Sequence, residues 1–489
     1  MRNKTLSLNR QLLLLTLLTV PLAISKALAD STTVVGNGTP SSCTEDAFTN
    51  AIAEGGIITF NCGSSPYTLT VTSQKTISSD TVIDGGNLVT LSGGNTVRIL
   101  DIESFYNLAT PSLTVQNITF ANGHTTDVPN TTSVAQGGAA IHRLGGILKV
   151  INSNFINNVG PVTGQDVAGG AIYSVGGGGT FIANSIFTAN QASNGGAIGS
   201  LGSALTVINS QISGNTATGN GGNPGNGGNG GGISIDGVNS YFGVNVNLSG
   251  VKILNNQGNA FGGGIFQVAE NGGTTTIDKS AFDGNSIPNQ STSFAGGVYL
   301  QGPTITMTNS SVSKNSSSSV GGMYVGPSSM LSMTNATVAQ NTALRGLGSG
   351  LFIDSNVNGT ILNSTIASNQ ASSFGAGIQV GGTNDNLSLG NTIISDNTVN
   401  NNSSNCTYKF ANLGGNLQYP FDPNSPCSDG TIQSDPMLGA LQNNGGPTLT
   451  IAPAPNSPAG GRGVNNCPAT DQRGQTRHIP CTLGAYELP

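Results

Sequence analysis

Cleaving a polysaccharide takes two carboxylates at a set separation, or carboxylates holding Ca²⁺, usually beside an Arg or Lys. This chain of 489 residues has 22 acids and 16 bases, and they are scattered. The densest charge cluster is Asp471-Gln-Arg473 with Arg477-His478, the best site candidate by composition. Its plainer reading is a salt-bridged terminus, because structural ion pairs also gather titratable groups. Asp278 and Asp283 share one repeat, and Asp396 occupies a turn position. With the repeats aligned, Asp396 lies one coil above Ser368, and Asp283 has Leu254 and Ser313 as neighbours. No carboxylates stack. His124, His142 and His478 are the only histidines, and His142 follows an inward Ile141, so it is expected to point outward. No Ser-His-Asp arrangement follows from spacing. The six Cys form no C-x-x-C and have no nearby His pair, which argues against zinc. No catalytic residue, cofactor or metal ligand is therefore assigned.

The elements that would position any site come from a repeat. From residue 137 onward a Gly-Gly-apolar step recurs: Gly137-Gly-Ala-Ala-Ile141, Gly169-Gly-Ala-Ile172, Gly195-Gly-Ala-Ile198, Gly231-Gly-Ile233, Gly263-Gly-Ile265, Gly296-Gly-Val298 and Gly321-Gly-Met323. Looser copies are Gly348-Ser-Gly-Leu351 and Gly375-Ala-Gly-Ile378. Each is followed by an apolar residue three before an Asn. The nine Asn are Asn158, Asn190, Asn215, Asn256, Asn285, Asn315, Asn341, Asn369 and Asn397. Between these steps lie short β-branched segments such as Leu205-Thr-Val-Ile and Thr304-Ile-Thr-Met. They read as strands with one buried face, about three per repeat. Such a coil cannot bury its own apolar face, but stacked at ~4.8 Å on its neighbours it can. Asn over Asn at a corner can form an amide ladder and tolerates the left-handed backbone. Gly is assigned to the opposite corner, where positive φ or close approach is needed. About 11–12 coils would make a rod of roughly 50–60 Å. The Gly219 to Gly232 run reads as a flexible loop rather than a calcium nonapeptide, because it has no Asp before Asp236.

The ends differ. Residues 1–29 have a basic start (Arg2, Lys4, Arg10), an apolar run over Leu12 to Leu18 and an Ala27-Leu-Ala29 cleavage site, the pattern of a secretory signal. Its removal leaves 12 bases against 22 acids, a net of −10. No basic patch remains for nucleic acid, and no other segment is apolar enough to span a membrane. Export makes disulfides plausible among Cys43, Cys62, Cys406, Cys427, Cys467 and Cys481, and nearest-neighbour pairing is preferred among the 15 connectivities. Thr44 to Glu54 reads as a helix capping the first coil within an N-terminal region 30–62. Residues 63–405 hold the repeats, and 406–489 read as a compact, disulfide-stapled C-terminal cap.

Gly-Gly-Ala-Ile with Phe-x-x-Asn resembles the repeats of polymorphic outer membrane proteins. Asp435-Pro-Met-Leu-Gly-Ala-Leu-Gln-Asn-Asn-Gly-Gly-Pro447, Thr470-Asp-Gln-Arg-Gly474 and Leu483-Gly-Ala-Tyr-Glu487 resemble the choice-of-anchor Q domain of bacterial proteins. The resemblance implies an all-β, right-handed parallel β-helix of the pectin-lyase-like superfold, at the cell surface or beyond. The handedness comes from the resemblance. The Asn-Thr-Asp, Asp-Asp and His-Gly signatures of polygalacturonases are missing, and no C-terminal anchor is read. The expectation is a non-catalytic, adhesin-like β-helix that presents loops to an extracellular glycan or surface protein. The alternative is a polysaccharide lyase or hydrolase on the same fold.

Overall fold

The computed structural model describes residues 31–126, 133–222, 225–237, 244–269, 272–288, 293–382, 386–465 and 467–489. The segment read as a leader lies outside them. Among the described residues three long parallel sheets run the length of the molecule: sheet I with 14 strands, sheet II with 13 and sheet III with 11. One coil passes through III, I and II in turn, as in Ile265–Val268, Thr274–Asp278 and Ala281–Asp283. The chain is a parallel β-helix of about 13 turns. That exceeds the expected 11–12. The irregular stretch before the first Gly-Gly step already forms coils, and pairing continues to Leu417–Tyr419.

Stacking is in register, so like lies over like. Ile141, Ile172, Ile198, Ile233 and Ile265 form one inward row of sheet III. Phe120, Phe155 and Phe187 form another in sheet II, with ring centroids 5.1 and 4.6 Å apart. All are buried. Each such side chain contributes about 1.5–3 kcal/mol, and almost all of it depends on the coil above or below.

The corner after sheet II carries the Asn ladder. All nine Asn are fully buried. Each Nδ2 donates to the Oδ1 of the next Asn at 2.8–3.0 Å, and Asn405 ends the run. Most backbone N–H groups on the ladder donate to the same Oδ1, as Asn256 N does to Asn285 at 2.9 Å. The second Nδ2 proton reaches the carbonyl of the apolar residue one coil back, as from Asn285 to Ile253 at 2.9 Å. Every amide valence is thereby filled. A second ladder runs along the corner from sheet I to sheet II. There Ser185 N donates to Ser210 Oγ at 3.0 Å and Ser280 N to Ser310 Oγ at 3.0 Å. The preceding residue is left-handed, as at Asn184 and Asn309.

The Gly-Gly step does not occupy an opposite corner. It ends the same return that the Asn begins. Gly262 has φ +65°, and a Cβ on Gly263 would lie 2.3 Å from the Gly296 carbonyl and 2.7 Å from that of Ser286. A Cβ on Gly264 would lie 3.1 Å from Cγ of Asn285. Gly is small here because the next coil's ladder presses on it.

At the N-terminal end α1 (Glu45–Glu54) lies between the first two strands of sheet I, Thr32–Val35 and Gly56–Phe60. Thr44 caps it by accepting from Ala47 N, and Phe48, Ala51 and Ile52 face the core. The Cys43–Cys62 disulfide and the 2.6 Å pair between Lys75 and Glu45 tie it down. At the other end Cys406–Cys427 closes the last coil, and Cys467–Cys481 staples the terminal segment. That segment is not an end plug throughout. Beyond about residue 435 it folds back along the flank: Thr448 donates to Asn309 O, Thr337 to Gln472, and Ala485 N to Thr365.

Two outcomes follow. Asn285→Ala strands two donors on Asn256 and removes one of the two bonds that Asn315 Oδ1 accepts. At about 1–3 kcal/mol for each buried group left unpaired, it should cost several kcal/mol in urea unfolding, whereas the exposed Asn402→Ala should cost almost nothing. Burial raises the Glu45 carboxyl, but Lys75 and the N–H and hydroxyl of Thr72 outweigh it and hold it at about 2, below its ordinary 4.5. A lowered folded-state value stabilises above the unfolded one. Glu45→Gln should therefore lower stability by about 1 kcal/mol at neutral pH, and the gap should close as pH falls from about 4.5 towards 2.

Candidate functional site

The terminal charge cluster assembles around Asp471 and a further carboxylate, Glu487, that lies outside the cluster read from the sequence. Asp471 is fully buried and accepts from the backbone N–H of Arg473, Gln475 and Glu487 at 2.9–3.0 Å. Arg473 grips it at 2.7 Å and lays its guanidinium over the Tyr486 ring, 3.4 Å from the centroid. Arg477 pairs with Glu487 at 3.0 Å and reaches Asn335 Oδ1, 142 residues earlier in the chain, at 2.9 Å. Burial pulls the Arg477 guanidinium below its ordinary value against the opposing pull of Glu487 and Asp471. His478 sits at the rim, 67% exposed, 3.2 Å from Glu487. Both carboxylates are saturated by groups of the terminus itself. This knot can hold a segment against the flank, and it offers a substrate no free acid. Glu487, which closes the Leu-Gly-Ala-Tyr-Glu motif, was the signal available in the sequence.

A second polar cluster lies on the outer face of sheet III. Register places Asp101, His142 and Tyr173 over one another on successive coils. His142 does face outward, yet it is buried beneath the segment that follows Ser133. Its Nδ1 is 2.6 Å from Asp101 and its Nε2 is 2.9 Å from the Val134 carbonyl. Gln74 and Arg98 approach the same carboxylate at 3.2 and 3.6 Å. A general base needs a lone pair turned towards substrate. Here both ring nitrogens meet protein oxygens, so the pair fastens a strap. His124 lies at a bridge to Val159, and its backbone N–H donates to Val97 O. Asp278 bonds Thr308 and Asn309, and Asp283 bonds Ser313, so these acids link coils.

Farther along the same face Phe266, Tyr299, Tyr324 and Phe352 stack with centroids 5.1, 4.6 and 5.6 Å apart. Tyr324 donates to Asp354, and burial together with that carboxylate raises its phenol well above the ordinary value. Two concavities flank this column. One is a narrow polar cleft lined by Asp166, Tyr173, Asn194, Asn229 and Asp236. The other is an open groove between Ser373-Phe374-Gly375 and the segment from Val399 to Thr407. Phe374 is 62% exposed there, and Asn400, Asn402, Ser403, Ser404 and Thr407 surround it without a charge. Among the described residues no three His, Cys, Asp or Glu side chains converge as metal ligands would, and no helix is long and apolar enough to cross a membrane.

No family model matches the chain, and no curated protein does. Solved structures give faint likenesses. One is the A-module of the mannuronan C-5 epimerase AlgE6 of Azotobacter vinelandii, 12% identical with a TM-score of 0.38, covering 83% of this chain and 100% of that one. Another is PfbA, a surface adhesin of Streptococcus pneumoniae, 12% identical with a TM-score of 0.34, covering 86% and 100%. Neither brings an activity to this chain.

The knot makes a direct prediction. Glu487→Gln leaves Arg477 buried without its carboxylate, a loss of about 3–5 kcal/mol. Limited proteolysis should then cut between 435 and 489 while far-UV dichroism of the sheets persists. Lys409→Met, which breaks the exposed Lys409–Asp429 pair, should change neither.

Proposed function

We propose that the chain is an exported, non-catalytic β-helix that binds a neutral extracellular glycan in the groove around Phe374. The observation that carries this reading is one exposed aromatic ring framed by uncharged amides and hydroxyls. An aromatic face offers an apolar platform to the C–H side of a sugar, and fixed amides and hydroxyls can read its O–H groups. Supporting it, the acids and histidines of the two buried clusters are occupied in holding segments to the coils. Export is supported by the leader-like 1–29 and by three disulfides. In this proposal residues 30–62 cap the rod, 63–405 supply its coils, and 406–489, the choice-of-anchor Q-like region, close the last coil and buttress the flank.

The test is a glycan array run beside a depolymerisation panel on the chain from Asp30. Binding to uncharged glycans, weakened at least tenfold in Phe374→Ala, is the expected result. Chain cleavage abolished by mutating one acidic pair would establish the polysaccharide-degrading alternative instead, and binding indifferent to Phe374→Ala would move the site elsewhere.

A further inference from the structure

The polar cleft beside the middle strands of sheet III holds a separate feature, independent of the glycan groove. Its walls come from three successive coils. Gln165 and Asp166 lie in the return that leads to Ile172–Val175, Asn194 in the next return, and Asn229, Ser234 and Asp236 around the strand Ile233–Asp236. Asn194 spends its amide protons on the carbonyls of Gly164, Gln165 and Val167 at 3.1, 2.7 and 3.2 Å. Its Oδ1 accepts from N and Nδ2 of Asn229 at 3.1 and 2.9 Å. That fixes the Asn229 amide the other way round, with Oδ1 turned away from Asn194. Asn229 is 2% exposed, and this oxygen has no hydrogen-bond partner. A buried acceptor left unpaired costs about 1–3 kcal/mol, so its presence asks for a ligand.

Asp166 and Asp236 bring two carboxylates to the same lining. The Tyr173 hydroxyl is already committed to the Asp166 carbonyl at 2.7 Å. Burial first, then the carboxylates of Asp166 and Asp236, push that phenol well above its ordinary value. Both carboxylates and the Asn229 amide line one cleft. The cleft has room for an ion or a single water and none for a sugar ring. A wall of oxygen acceptors at that size suits a hard cation. Ca²⁺ takes carboxylate, amide and carbonyl oxygens in flexible geometry and completes its shell with water. Zinc would want His or Cys.

We propose that this cleft is a Ca²⁺ site, with Asp166, Asp236 and the Asn229 amide oxygen as protein ligands. The ion would bind one return loop to the two coils that follow it. Sequence scanning passes over it because its acids are 70 residues apart in the chain and no local motif joins them.

Terbium reports on such a site directly, since the chain has no Trp and Tyr173 lines the cleft as a sensitiser. The chelator-stripped full chain should show Tb³⁺ emission excited through tyrosine, displaced by Ca²⁺ at or below about 1 mM, and Ca²⁺ should raise its unfolding temperature. D166N/D236N should abolish both effects, and each single variant should weaken binding at least tenfold. D429N, at an exposed acid, should leave both unchanged. If the double variant does not fold, the single variants decide. Absent emission from the native chain, or emission and thermal shift that survive in D166N/D236N or the singles, would overturn the site and leave the cleft to water.

Discussion

The amide ladder is the constraint on which the rest of this molecule depends. A buried Asn with both protons and both lone pairs to satisfy has one economical solution here. It takes the amide of the next coil, and the backbone N–H, the amide and a carbonyl of the preceding one. This works only if each coil sits in exact vertical register with the next. The apolar rows then fall into line because they are attached to the same backbone. Phe over Phe and Ile over Ile are consequences of register as much as causes of it. A coil out of step would lose its ladder and its core together, so the register holds although the chain is rich in Gly.

The same constraint makes the flank and ends expensive to leave open. α1 and the Cys43–Cys62 bridge cover the start of sheet I. The terminal segment solves a different problem. Its contacts run along the left-handed Asn column between sheets I and II, at Asn309, Asn335, Asn363 and Asn391. The terminus meets Asn309 at its backbone carbonyl and Asn335, Asn363 and Asn391 at their side-chain amides. Arg477 and Gln472 serve as side-chain hooks into that column and its neighbouring strand.

What was legible in the sequence follows from this geometry. The ladder and the inward rows repeat in the chain because they repeat in space, so Asn285 or Phe187 could be placed from spacing. The Ser ladder repeats too, as the Asn-Ser pairs at 152–153, 184–185 and 209–210, but it hides inside strand-like text. Spacing alone puts Gly263 at the wrong corner because it measures path along the chain. The return from sheet II to sheet III is long, and its two ends meet only when coils stack. Asp101 with His142 was illegible for a related reason. The pair is made by register across 41 residues, in the irregular coils where the motif is weak. The cluster around Asp471 was visible as charge, but its saturation by Glu487 and by backbone N–H groups was not.

Register also dictates where chemistry can reside. Where the Ser ladder runs, the corner from sheet I to sheet II is a two-residue step, as at Asn309-Ser310. The return from sheet II to sheet III is pinned only at its ends, by Asn and Gly, and varies freely in length between. Residues there can differ from coil to coil without disturbing a ladder. The acceptor-lined cleft at Asp166, Asn194 and Asn229 lies in these returns, and so does the groove at Phe374. The repeated residues are fully occupied in holding one coil to the next. Selectivity for any ligand must therefore come from the stretches whose length the stack leaves free.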